Sequence, residues 1–120
     1  MSTDFLSLSE RMSEKRFRHT LGVRDCALRL AQILLPDRMD EVEGAAMLHD
    51  IAKEVPTDEL LSAIAQSEWQ PPTEDLVSES LLHAYAAPYY IRRDFPQYAT
   101  ESVMRAVYYH TVGRVGMTVL

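Results

Sequence analysis

The chain has 120 residues, 47% hydrophobic and 25% charged, with 12 Lys and Arg against 18 Asp and Glu for a formal charge of −6. That is the size and balance of one globular domain, and its acidity excludes a general nucleic-acid binder, which needs a basic face to neutralise phosphates. Four glycines, Gly22, Gly44, Gly113 and Gly116, cannot be spaced as a phosphate-cradling loop, and the single Cys26 excludes an internal disulfide or a cysteine zinc cluster.

The N-terminal stretch MSTDFLSLSERMSEKRF has no apolar core of signal-peptide length. No run approaches the ~18 apolar residues of a membrane span, and a cytoplasmic protein that meets no membrane is expected. Phe17, Leu21, Leu28, Ala31 and Leu35 form one apolar stripe at helical spacing over residues 13–35, ended by Pro36. Asp40 and Glu43 read as a capping-box-like start for a second helix through about Lys53. Pro56 breaks it, and Thr57 can cap a third helix carrying Leu60, Leu61 and Ile64.

Gln70-Pro71-Pro72-Thr73 is a loop, with Trp69 as its cover. A further helical segment runs from about Leu81 to Phe95, with Pro88 either kinking it or marking its true start, and Pro96 closes it. Thr100 can cap a last helix through His110, after which residues 111–116 read as a turn. Met117-Thr118-Val119-Leu120 looks like the opening of another helix. A C-terminal piece lying beyond it, or a segment supplied by another chain, is therefore expected. No stretch alternates long enough to be a strand. The expectation is a single all-α domain, residues 1–120, of about five to seven helices.

The chemistry must come from His, Asp, Glu, Arg and Lys. Four histidines, His19, His49, His83 and His110, fall on four separate predicted helices, and Asp50 directly follows His49. A lone helical histidine is ordinarily a hydrogen-bonded or half-exposed residue. Four of them around a His-Asp pair are what a metal site inside a helical bundle requires, since imidazole and carboxylate suit divalent Fe, Mn, Co or Zn. Adjacent helical residues point about 100° apart, so His49 and Asp50 can both serve only a metal at the side of their helix.

The words Arg18-His19-Thr20-Leu21-Gly22-Val23, Leu48-His49-Asp50-Ile51-Ala52-Lys53, Leu82-His83-Ala84 and Tyr109-His110-Thr111-Val112-Gly113-Arg114-Val115-Gly116-Met117-Thr118 resemble the HD-domain superfamily of metal-dependent phosphohydrolases. Within it they look like the YqeK-like branch, which contains symmetrical diadenosine tetraphosphate hydrolases. The resemblance implies an HD-domain helical bundle and a small-molecule nucleotide substrate cut into two ADP. It implies His19, His49 and Asp50 on one metal, with Asp50 bridging to a second that takes His83 and His110. Two irons are expected there, although the ligand set also permits Mn or Co. Members of the family carry one further metal-binding Asp beyond the Met117-Thr118 word, and this sequence ends before it. The bundle is accordingly expected to lack its C-terminal helices.

Lys53, one turn past Asp50, can reach a phosphate oxygen or complement its helix dipole. Arg114, in its glycine-flanked turn, is a phosphate contact, and Arg18 and Thr111 are further substrate-binding candidates. Asp50 and Lys53 are the expected catalytic pair. The six tyrosines, all in the second half, read as core packing, and Cys26 as a buried inert thiol. Two other readings fit the same words. One is another nucleotide phosphohydrolase; the other is a truncated nucleotide- or metal-binding module without activity, whose exposed apolar face would favour a homodimer.

Overall fold

The computed structural model describes residues 3–67, 70–71, 76 and 79–109, with side chains from Phe5 onward except at 79, 80 and 109. Trp69, His110, Thr111, Arg114 and the expected helix opening at Met117 lie outside the described residues. Within them are five α-helices and no strand: α1 Glu14–Leu34, α2 Met39–Leu48, α3 Thr57–Gln66, α4 Glu79–Asp94 and α5 Glu101–Tyr109. Three short 3-10 segments, Thr3–Glu10, Pro36–Arg38 and Pro96–Tyr98, join or precede them. The all-α expectation holds.

Each helix packs mainly on one or two neighbours: α1 on α2, α2 on α5, α5 on α4, and α4 on α3. The core lies between α2, α4 and α5, where Met47, Leu48, Ile91, Val103 and Val107 are at most 1% exposed. Tyr85 and Tyr108 meet there with ring centroids 4.8 Å apart, so the core reading of these tyrosines holds. Gly44 lets α2 come close to the Pro96–Tyr98 segment. A Cβ at that position would sit 2.7 Å from Tyr98 Cδ1, inside any tolerable contact.

The helix ends depart from expectation in three places. Helix α2 stops at Leu48, not Lys53, and the chain continues in tight turns: the Ile51, Lys53 and Val55 amides donate three residues back, to the carbonyls of Leu48, Asp50 and Ala52. At its start no capping box forms; Arg38 stands at the cap, while Asp40 and Glu41 favour the positive end of the helix dipole. Thr57 is the first residue of α3, with Pro56 at the cap position and no side-chain cap. Two caps do form, Ser13 Oγ accepting from Arg16 N at 3.1 Å and Thr100 Oγ1 from Val103 N at 3.3 Å.

Helix α4 starts at Glu79 and runs through Pro88, so Pro88 is an interior residue and not a start. Ala84 thereby loses the usual amide donor to its carbonyl, and complete burial of Pro88 compensates by packing. The N-terminal segment is an unexpected part of the core. Phe5 and Leu8, one 3-10 turn apart, are both fully buried, and Phe5 lies against Phe95 and Tyr98 with centroids at 6.3 and 4.8 Å.

Candidate metal centre

The site begins with the way α1 is fastened to the turn after α2. Ser13 N donates to Glu54 Oε2 at 2.6 Å, and Arg16 Nη1 donates to Asp50 Oδ2 at 3.3 Å. The buried Thr20 hydroxyl adds a weak contact of 3.9 Å to the Met12 sulfur. The first two of these ties hold the start of α1 over residues 49–54. One turn into that helix stands His19, facing His49 with ring centroids 6.1 Å apart.

His49, Asp50 and His19 together form a cluster: one ligand atom from each lies within 4.8 Å of the other two. The burial is graded, with Asp50 9% exposed, His49 half-buried and His19 open to solvent. His49 Nδ1 donates to the Ala46 carbonyl at 2.6 Å, and Nε2 lies 3.3 Å from Asp50 Oδ2. The early end of α2 makes this possible, because residues 48–55 tighten into successive turns that present both members of the His-Asp pair.

Burial opposes a charged His49 ring, but the Asp50 hydrogen bond, the Ala46 carbonyl and the Asp50 charge outweigh it, and Arg16 opposes them weakly. The pKa of His49 is raised above 6.5 as a result. Metal and proton compete for an imidazole, so affinity for added Mn(II) is expected to rise with pH through the range above 6.5, which metal titrations at two pH values check.

The donor set fits a divalent transition metal. Two imidazoles and a carboxylate converge, and one imidazole has its second nitrogen fixed by a backbone carbonyl, the usual support for a metal-bound histidine. His83 sits half-buried on α4 and does not join the cluster. The reason is topological: α4 packs on α3 and α5, whereas His19 is on α1. The expected second set, His83 with His110, cannot be assembled from the described residues, since His110 lies outside them.

Lys53 belongs to the same run of turns, its amide donating to the Asp50 carbonyl at 2.9 Å, with a half-buried side chain. Arg18 stands elsewhere: its side chain is 71% exposed and pairs with Glu14 at 3.4 Å. The arginine that reaches Asp50 is Arg16, which sequence reasoning missed. Helical spacing could have found it, since residues three apart share a face and neighbours do not. Cys26, expected to be buried, is exposed. It shares the face of His19 as anticipated, but that face is the open one.

A second ionic group, on α4, is structural. Asp94 accepts from Arg93 at 2.8 Å and from Arg11, and the Arg93 hydrogen bonds, ahead of the opposing burial and with help from Arg11, lower its pKa to about 2. A depressed carboxylate contributes stability that is complete above its unfolded pKa, near 3.8, and lost as pH falls toward 2. Allowing for its partial exposure, Asp94→Asn costs about 1–2 kcal/mol at neutral pH. Denaturant titrations of the two proteins should differ at pH 7 and converge near pH 2.

Residues 16–118 match the HD domain family, and the chain belongs to it. Among individual relatives it is 34% identical over 113 residues to a protein of Bacillus subtilis, and 33% identical over 111 residues to one of Halalkalibacterium halodurans; both are named symmetrical bis(5'-nucleosyl)-tetraphosphatase. These matches cover 94% and 91% of this chain but 59% and 57% of the relatives, so the chain spans a little over half their length. Its fold is similar to that of a Clostridium acetobutylicum protein described as a predicted HD superfamily hydrolase involved in NAD metabolism. There the TM-score is 0.83 at 29% identity, covering 97% of this chain and 60% of that one.

Proposed function

We propose that this chain is a metal-dependent phosphoanhydride hydrolase that cleaves diadenosine tetraphosphate symmetrically. The observation that carries this reading is the His19, His49 and Asp50 cluster in a chain one-third identical, over more than nine-tenths of its length, to symmetrical tetraphosphatases. In the reaction, water adds to one of the two central phosphorus atoms, the central P–O–P bond breaks, and the leaving oxygen departs with the other half. Two ADP result.

When bound, a pair of divalent ions, by this reading two irons with Mn or Co as substitutes, would lower the pKa of the attacking water and offset phosphoryl charge. His19, His49 and Asp50 would hold one of them, and Asp50, His83 and His110 are the residues the family resemblance assigns to the other. The Ala46 carbonyl, which holds His49 Nδ1, and the burial of Asp50 keep these ligands in one arrangement. Lys53 and Arg114 are the residues assigned to phosphate oxygens, and Thr111 is a further substrate-binding candidate. Arg18, paired with Glu14 on an exposed face, is the weakest of the binding assignments.

No helix among the described residues is long and apolar enough to cross a membrane, and a cytoplasmic location accords with that reading. Leu30, Ile33 and Leu34 of α1 are 56, 79 and 60% exposed, an apolar face that supports a homodimer. The test of function is turnover of diadenosine tetraphosphate by the anaerobically purified chain, with Fe(II) or Mn(II) added and products resolved chromatographically. ADP as sole product is expected. ATP with AMP would contradict symmetrical cleavage, and no turnover by folded, metal-bound chain would contradict the activity.

A further inference from the structure

Beside the His19, His49 and Asp50 cluster lies a small hollow of about 200 Å³, lined by Ser13, Lys15, Arg16 and His19. Arg16 lines that hollow and also reaches Asp50 of the cluster. We infer that Arg16 is a phosphate-binding residue held in reserve on Asp50, and that the hollow receives one phosphate of the substrate's polyphosphate chain. The inference rests on the metal-hydrolase reading above and adds to it a residue and a subsite.

Competition for one oxygen is the first ground. Asp50 Oδ2 takes the Arg16 guanidinium at 3.3 Å and faces His49 Nε2, also at 3.3 Å. A divalent ion held by these ligands needs the same carboxylate and repels the guanidinium beside it. The Arg16 contact is long for a charge-assisted hydrogen bond, and its side chain is 35% exposed, so it can be displaced without unpacking the core. Asp50 is therefore neutralised by an arginine before metal arrives and by the metal afterwards.

The second ground is what lies around the displaced group. Lys15 is exposed on the same hollow and has no acidic partner among the described residues. Ser13 N is already held by Glu54, so attraction for an anion comes from the two side-chain cations and not from the end of the helix. A guanidinium released here can grip two phosphate oxygens at once, and Lys15 adds a point charge. An anion in this position also offsets the repulsion between Arg16 and the metal, so metal and phosphate favour one another's binding.

Calorimetry on the full chain tests this with two probes, Mn(II) alone and then inorganic phosphate added to Mn(II)-loaded protein. Arg16→Ala should tighten Mn(II) binding about three- to tenfold by removing the competing cation, and weaken phosphate binding by about tenfold. Arg16→Lys keeps the charge and loses the fork, so its Mn(II) affinity should stay near wild type while phosphate binding still falls. Arg29→Ala, on the exposed surface of α1, should change neither.

Weaker Mn(II) binding by Arg16→Ala would show that the arginine orients Asp50 for the metal, which overturns the inference. Unchanged phosphate affinity would overturn it as well. If the alanine variant fails to fold, Arg16→Gln, which keeps a donor for Asp50 without the charge, must give the same pair of shifts. A wild-type chain that binds no Mn(II) removes the metal-hydrolase reading, and this inference with it. Mn(II) binding without the Arg16 effects removes this inference alone.

Discussion

Asp50→Asn is expected to abolish metal binding at the cluster and to lower diadenosine tetraphosphate turnover by about 10³-fold or more, while the chain stays folded. Asp50 is the most buried member of the cluster, and both His49 Nε2 and Arg16 Nη1 lie 3.3 Å from its Oδ2. Asparagine keeps the shape and an acceptor oxygen but not the charge that an ion requires. The metal-free variant carries a second readout. The hydrogen bond and charge of Asp50 are leading causes raising the His49 pKa, so Asp50→Asn should lower it, measurable by NMR titration of the imidazole. Turnover and metal content near wild type would mean that the cluster is not the catalytic centre.

The largest effect on stability is expected outside the site. Phe5→Ala should cost about 3–5 kcal/mol, because a fully buried ring is lost and the cavity it leaves is walled by other rings. For a domain of this size that lowers the melting temperature by about 10 °C or more. A shift of only a degree or two would mean that the N-terminal segment is an appendage. If it is integral, as its burial indicates, deleting residues 1–10 should destabilise the chain at least as much as the point change.

How far the sequence could be read follows from the physics of each element. The α1 stripe and the all-α class were legible because helical periodicity leaves marks at fixed spacings. Four histidines around a His-Asp pair marked only the chemistry, and the resemblance to the HD-domain superfamily is what grouped His19, His49 and Asp50. The N-terminal segment was not legible. Phe5 and Leu8 repeat at three, a 3-10 period too short in extent to separate from a polar tail. The end of α2 was obscured because Met47, Leu48, Ile51 and Ala52 are all buried, so apolar character runs straight through the point where the hydrogen bonding tightens.

Arg16 was passed over for a related reason. Arg18 touches His19 in sequence, whereas contact on a helix is made three and four residues away. Cys26 shows the converse error: its face was read correctly from its seven-residue distance to His19, and its burial was not, because His19 itself lies on the open side. Position along a helix fixes which residues share a face. Which face is covered depends on the neighbouring helices, and α1 packs chiefly on α2.

The claim on which the rest depends is that His19, His49 and Asp50 hold a metal. The most direct measurement is an anomalous difference map from crystals of the chain grown with Mn(II), collected at the manganese edge. A peak within bonding distance of an imidazole nitrogen of His19, of His49 Nε2 and of an Asp50 carboxylate oxygen is the predicted result, with the Arg16 guanidinium turned away from Asp50. A map with no peak there, or with Arg16 still on Asp50 and manganese bound elsewhere, would contradict the account.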